Sequence, residues 1–165
     1  MWGVTGIIYN PEDVTKQEAS TWKIINNDKF RRMITVKDNV RDTMFAAIGA
    51  IKSDKLRSQD FINQADYTDK LAEEMNDTSK DTADEVLEYL QQVKDNVYSF
   101  ETDSGKIDAI TGKIIAGYQW SGDAVYIMQQ AEANDVELNF AIPEECTNMY
   151  FDGWATVSYT HLTLP

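Results

Sequence analysis

Histidine and cysteine are almost missing from this chain, with one of each in 165 residues. Cys146, being alone, can form neither an internal disulfide nor a multi-cysteine metal site. His161, equally alone, cannot support a Ser/His/Asp or Cys/His arrangement, which argues against the commonest nucleophilic hydrolases. No metal and no cofactor is expected. Basic residues are also scarce: 15 Lys and Arg stand against 28 Asp and Glu, for a net charge of −13. That balance repels nucleic acid and anionic membrane surfaces and suits cationic small ligands, although most of the acids fall on helix faces where they serve solubility. No apolar run approaches the roughly 18 residues that span a bilayer. The first nine residues lack the basic region, apolar core and cleavage site of a signal peptide. Neither Gly-x-Gly-x-x-Gly nor Gly-x-x-x-x-Gly-Lys-Ser/Thr occurs, so nothing local supports a dinucleotide or nucleoside triphosphate site.

What remains reads as strands alternating with helices. Trp2 to Tyr9 is rich in β-branched and aromatic residues and stops at the Asn10-Pro11 turn, so it predicts a strand. Ser20 or Thr21 caps a short helix holding Trp22, Ile24 and Ile25. Met33 to Val36 is a short buried strand, and a helix with Met44, Ile48 and Ile51 on one stripe follows from Asn39. The next stretch, 53–68, is polar and weakly periodic, a loop with one helical turn at Phe61-Ile62. Tyr67 to Met75 is a short helix. A longer one starts at Thr78-Ser79-Lys80-Asp81 with Val86, Leu87, Leu90 and Val93 inward. Val97 to Phe100 is a strand, and Lys106 to Ile110 a helix closed by Gly112. A strand ends at Trp120, a helix covers Ala124 to Ala133, and strands are predicted over Val136 to Ile142 and Asn148 to Val157. Alternation of this kind indicates an α/β fold, a mainly parallel sheet flanked by helices. Asp77-Thr78-Ser79-Lys80-Asp81 lacks the glycine a calcium loop needs at its sixth position, so Asp77 reads as a helix-capping acid.

Three junctions carry the chemistry. Gly117-Tyr118-Gln119-Trp120-Ser121-Gly122-Asp123 delivers an indole, a hydroxyl and a carboxylate at the carboxyl end of a strand, where ligands sit in open α/β sheets. Tyr150-Phe151-Asp152 again sets an aromatic beside an acid. Asp42 begins the helix after the strand that ends at Val36; an acid in a first turn also suits the helix dipole with no ligand at all. Aromatic faces and carboxylates at one mouth describe a site for an elongated organic cation.

On Trp2-Gly3-Val4-Thr5-Gly6-Ile7, Asp38-Asn39-Val40-Arg41-Asp42, Trp120-Ser121-Gly122-Asp123 and Met149-Tyr150-Phe151-Asp152, in that order and spacing, the chain resembles the spermidine/putrescine-binding proteins of bacterial ABC importers. The resemblance implies one lobe of a two-lobe periplasmic-binding-protein-like fold. Residues 1–157 would form most of the second lobe, with its partner lobe missing, and 158–165 an uncharged, non-native tail. It implies no catalysis. Trp120 would be the plate for the methylene chain and Tyr150 part of the aromatic wall. Asp42 and Asp152 would receive amines, and Asp123 would lie beside a terminal ammonium. Asn39 would stand where spermidine-preferring relatives can have an aspartate. Putrescine or spermidine, ABC permease subunits, a monomeric full-length protein and a periplasmic or membrane-anchored extracellular location follow from the same likeness. A receptor lobe for another solute (an amino-acid derivative, a sugar or an iron complex) and a glycoside hydrolase fragment using an acid pair are the alternatives.

Overall fold

The structure, a computed structural model, describes residues 1–155; His161 and the 158–165 tail lie outside them, as does the end of the strand predicted over 148–157, which within the described residues is a strand only at Met149–Phe151. Strand β1 (Trp2–Tyr9) alternates so that Ile7 and Ile8, both fully buried, enter cores on opposite sides of the sheet. Helix α1 (Lys16–Ala19), in a stretch that reads only as polar, is closed by a capping box in which Thr15 and Glu18 satisfy each other's backbone N–H. Two 3-10 segments, Trp22–Asn26 and Asp28–Phe30, precede β2 (Ile34–Lys37), every residue of which is buried.

Helices α2 (Val40–Ile51), α5 (Tyr67–Met75) and α6 (Lys80–Asn96) stand where their periodicity and caps put them, with Asn39 capping α2 and Ser79 capping α6. Leu87 differs from its expected place: it is 59% exposed, one residue off the stripe on which Val86 and Val93 are buried. The 53–68 stretch is also more ordered than its polarity suggests. It holds two single-turn helices, α3 (Ser53–Leu56) and α4 (Gln59–Ile62), pinned by buried Leu56 and Phe61. Asp77 accepts the Ser79 N–H at 2.9 Å and the Thr82 hydroxyl at 2.5 Å, as a capping acid does.

Beyond α6 come β3 (Ser99–Glu101), α7 (Ser104–Ile110), β4 (Ala116–Trp120), α8 (Ser121–Glu132), β5 (Asn139–Ala141) and β6 (Met149–Phe151). Gly112, with φ of +70°, makes the left-handed turn after α7. The predicted strand over 136–142 shrinks to three residues. Val136 donates its N–H to Ala131 O in the turn that ends α8, and Leu138 packs against that helix, so the alternation before residue 139 belongs to a cap.

The sheet runs β3-β2-β4-β1-β5, with β6 also on β1. β2 pairs in parallel with β3 and β4, whereas β1 is antiparallel to β4, β5 and β6. All the other strands therefore run one way and β1 alone is reversed. One face carries Ile7, Val36 and Tyr118 under the first 3-10 segment, α2 and α6; Trp22 meets Tyr118 edge-on at 4.8 Å between ring centroids. The other face carries Ile8 and Ile114 under α7 and α8. Fully buried Glu145 ties the carboxyl-terminal segment to the body: it accepts from the Thr21 and Ser53 hydroxyls and from the Trp22 N–H. The result is a three-layer α/β domain.

Candidate functional site

Strand direction assembles the site. β2, β4 and β6 all end on the same edge of the sheet, and reversed β1 begins there. A pocket of about 730 Å³ opens on that edge, lined by Asn39, Arg41, Asp42, Trp120, Gly122, Asp123, Asn148, Tyr150, Phe151 and Asp152 among others. The six residues singled out from the sequence (Asn39, Asp42, Trp120, Asp123, Tyr150 and Asp152) are all in that lining. Their surroundings differ widely.

Asp42 sits in the first turn of α2 and is buried. Burial pushes its carboxyl above the usual aspartate range, against the opposing pull of Lys37, Arg41 and the Trp120 indole. Asp152 is exposed, at the end of β6. Asn39 is committed locally: its side-chain oxygen accepts the N–H groups of Arg41 at 3.0 Å and Asp42 at 3.2 Å. What it has left is an amide NH₂, a donor and so a poor partner for an ammonium. Ser121 is engaged as well, since its hydroxyl accepts the Val4 N–H at 3.1 Å across the β1–α8 junction.

Tyr150 is half-buried and its ring leans over Gly3. A Cβ at position 3 would overlap the Tyr150 hydroxyl and stand 2.7 Å from the Ser121 hydroxyl. The missing side chain of Gly3 is what lets the phenol lie there.

Sequence reasoning passed over two cations. Lys37, at the end of β2, is fully buried, with its ammonium 4.2 Å from the centre of the Trp120 ring and donating to Thr102 O at 3.1 Å. Burial holds its pKa below the ordinary lysine value, with Glu101 and Asp123 pulling the other way. Lys106 on α7 forms ion pairs with Asp103 and Asp123, both at 3.0 Å. Burial alone would lower its pKa, but those two carboxylates outweigh it and hold the ammonium above its ordinary range. A local signal exists only for Lys37, a lysine ending a short, fully buried strand; nothing near Lys106 in sequence points at Asp123.

Three carboxylates and the Arg41 guanidinium thus line the pocket, with Lys37 and Lys106 beside it. The mouth is less acidic than its carboxylates alone imply. At the ends of β3 and β4, the Glu101 and Gln119 side chains keep buried polar atoms with no hydrogen-bond partner, Oε1 of the first and both Oε1 and Nε2 of the second. Among the described residues no group of three or more His, Cys, Asp or Glu side chains is placed to hold a metal ion. No described helix is long and apolar enough to cross a membrane.

No protein-family model matches the sequence, and no curated protein matches it. Solved structures do match. The spermidine/putrescine ABC transporter substrate-binding protein PotD from Streptococcus pneumoniae superposes with a TM-score of 0.69 at 18% identity, over 90% of this chain and 38% of that one. A protein named as a spermidine/putrescine ABC transporter from Listeria monocytogenes gives a TM-score of 0.67 at 22% identity, over 90% and 38%. The binding protein MotA from A. tumefaciens B6, solved with glucopine, gives 0.57 at 13% identity, over 84% and 38%. The chain therefore spans about 38% of the length of each of these proteins and has the fold of the part that it covers.

Proposed function

We propose that this chain is one lobe of the solute-binding receptor of an ABC importer, that it takes a polyamine such as putrescine or spermidine, and that it performs no catalysis. The observation that carries the reading is the convergence of Asp42, Trp120, Tyr150 and Asp152 on one pocket at the carboxyl ends of three strands. Each ammonium that leaves water needs a carboxylate to replace its lost hydrogen bonds, and a charged hydrogen bond contributes about 1.5–3 kcal/mol. Asp42 and Asp152 supply that, with Asp123 and Asn39 at the edges of the same pocket. Indole and phenol faces cover the methylenes between the charges at about 0.5–2 kcal/mol per cation–π contact. A second lobe closing over the pocket would bury the ligand and present a closed shape to permease subunits. The receptor would act as a monomer, outside the cytoplasmic membrane, with no nucleic-acid partner.

Arg41 favours a second reading. It lines the pocket and joins no ion pair among the described residues, so a ligand with an amine at one end and a carboxylate at the other would also find complementary groups.

The experiment is a ¹H–¹⁵N NMR titration of the chain with putrescine, spermidine, an amino acid and maltose. Half a cleft binds weakly, so millimolar or weaker affinity is expected, with shifts centred on Asp42, Trp120 and Tyr150. Polyamine shifts that survive Trp120→Ala and Asp152→Asn together would sink the site, and a response only to the amino acid would transfer it to the second reading.

A further inference from the structure

The pairing of Lys106 leads further, on the reading that the pocket binds an amine. We propose that Lys106 is a tethered counter-ion that withdraws Asp123 from the ligand, so that the pocket selects a diamine over a triamine.

Asp123 lies in the first turn of α8, shortly after Trp120, and lines the pocket. It does not wait there unpaired. Lys106 Nζ reaches across from α7 and lies 3.0 Å from Asp123 Oδ1, where a ligand ammonium would have to sit. The lysine is itself gripped from behind by Asp103 at 3.0 Å. Both partners are about three-quarters shielded from water, with side-chain exposures of 24% and 26%, so the pair is less screened than a fully exposed surface pair. α7 and α8 pack on each other over one core, which fixes the separation of the two side chains.

A ligand ammonium approaching Asp123 meets a carboxylate already neutralised and a positive charge within hydrogen-bond reach of it. Asp42 and Asp152 have no lysine or arginine within ion-pair distance among the described residues. Two free carboxylates match two ammoniums. A third ammonium finds no unpaired carboxylate in this lining, and the Asn39 side-chain oxygen is spent on the helix cap.

The test compares Lys106→Met, Lys106→Arg and the double variant Lys106→Met/Asp123→Asn with the parent chain, titrating putrescine and spermidine by ¹H–¹⁵N NMR at fixed ionic strength. Preserved chemical-shift dispersion checks that each variant is folded. The quantity read is the ratio of the two dissociation constants, because loss of one positive charge strengthens binding of both amines, whereas only a newly freed carboxylate favours the triamine. One further charged hydrogen bond corresponds to a shift of about tenfold or more toward spermidine in Lys106→Met. Lys106→Arg should keep the parent's ratio, and the double variant should lose the gain. An unchanged ratio in Lys106→Met, or a gain that persists without Asp123, overturns the role of Lys106 and leaves the amine pocket standing. Absence of any amine response in the parent chain overturns both.

Discussion

Replacing Lys37 with methionine isolates the most unusual group near the pocket. The substitution removes an ammonium 4.2 Å from the Trp120 ring centre and its 3.1 Å hydrogen bond to Thr102 O, while the thioether refills most of the space. The lost cation–π contact contributes about 0.5–2 kcal/mol, and the lost charged hydrogen bond about 1.5–3 kcal/mol. Against these stands the desolvation of a buried ammonium, a cost of several kcal/mol that the variant no longer bears. The two sides are of similar size, so at neutral pH the variant's stability should fall within about 2 kcal/mol of the parent's. The pH dependence is sharper. Lys37 has a folded pKa below its ordinary value of 10.5. Between the two values the unfolded chain binds more protons than the folded one, so stability rises with pH across that window. Urea unfolding of both proteins from pH 7 to 10.5 removes from the difference the titrating groups that are not coupled to Lys37. The parent should gain on the variant as pH approaches 10.5. A flat difference, or one moving the other way, would refute a buried charged lysine under the indole.

Two further outcomes follow from the pocket. Asp42, whose carboxyl is raised above the ordinary 3.8, must be ionised to receive an ammonium, so putrescine affinity should rise as pH climbs from about 4 and level off above the raised value, with Asp42→Asn flattening the profile. NMR titrations at stepped pH check it, and an Asp42→Asn profile that still rises would assign the effect elsewhere. Gly3→Ala touches no ligand but drives a methyl into the place of the Tyr150 hydroxyl; it should displace the phenol and weaken amine binding by about tenfold, while Tyr150→Phe tolerates the alanine better.

Periodicity and caps carried most of the fold because the elements that matter obey local rules. Helix α5 occupies 67–75, where its pattern put it, and Asn39 and Ser79 cap as polar residues before apolar stripes do. The misreadings come from tertiary override. Residues 136–138 alternate like a strand because they wrap the end of α8, and α3 and α4 are polar turns held by two buried side chains. At the site, aromatic-acid pairs at strand ends were legible because the side chains and the backbone signal lie together in sequence. Of the cations, Lys106 was not. Lys106 reads as an ordinary lysine on a short helix, and only the packing of α7 on α8 sets it against Asp123. The reversal of β1 was equally hidden, since a single strand's pattern carries no direction.

That reversal decides what the pocket contains. In an all-parallel sheet, the ends gathered at the ligand edge would be carboxyl ends, each leading onward through a connection. Here the neighbour of both β4 and β6 at that edge is the start of β1, where Gly3 pairs with Tyr150 and Thr5 with Trp120. A strand that begins at the edge can contribute emptiness: no side chain at Gly3 to resist the phenol, and a Val4 N–H that holds the Ser121 hydroxyl and with it the first turn of α8. Trp120 and Tyr150 are thereby positioned by β1 and by the ammonium of Lys37. On the proposed polyamine reading, such preorganisation favours a flexible ligand, because the protein then loses little of its own side-chain freedom when the ligand is ordered. The acids are distributed on the same logic. Asp42 is fixed and buried, Asp123 is fixed and compensated, and Asp152 is left exposed at the rim, so the pocket's net charge is set by the scaffold's lysines as much as by its carboxylates.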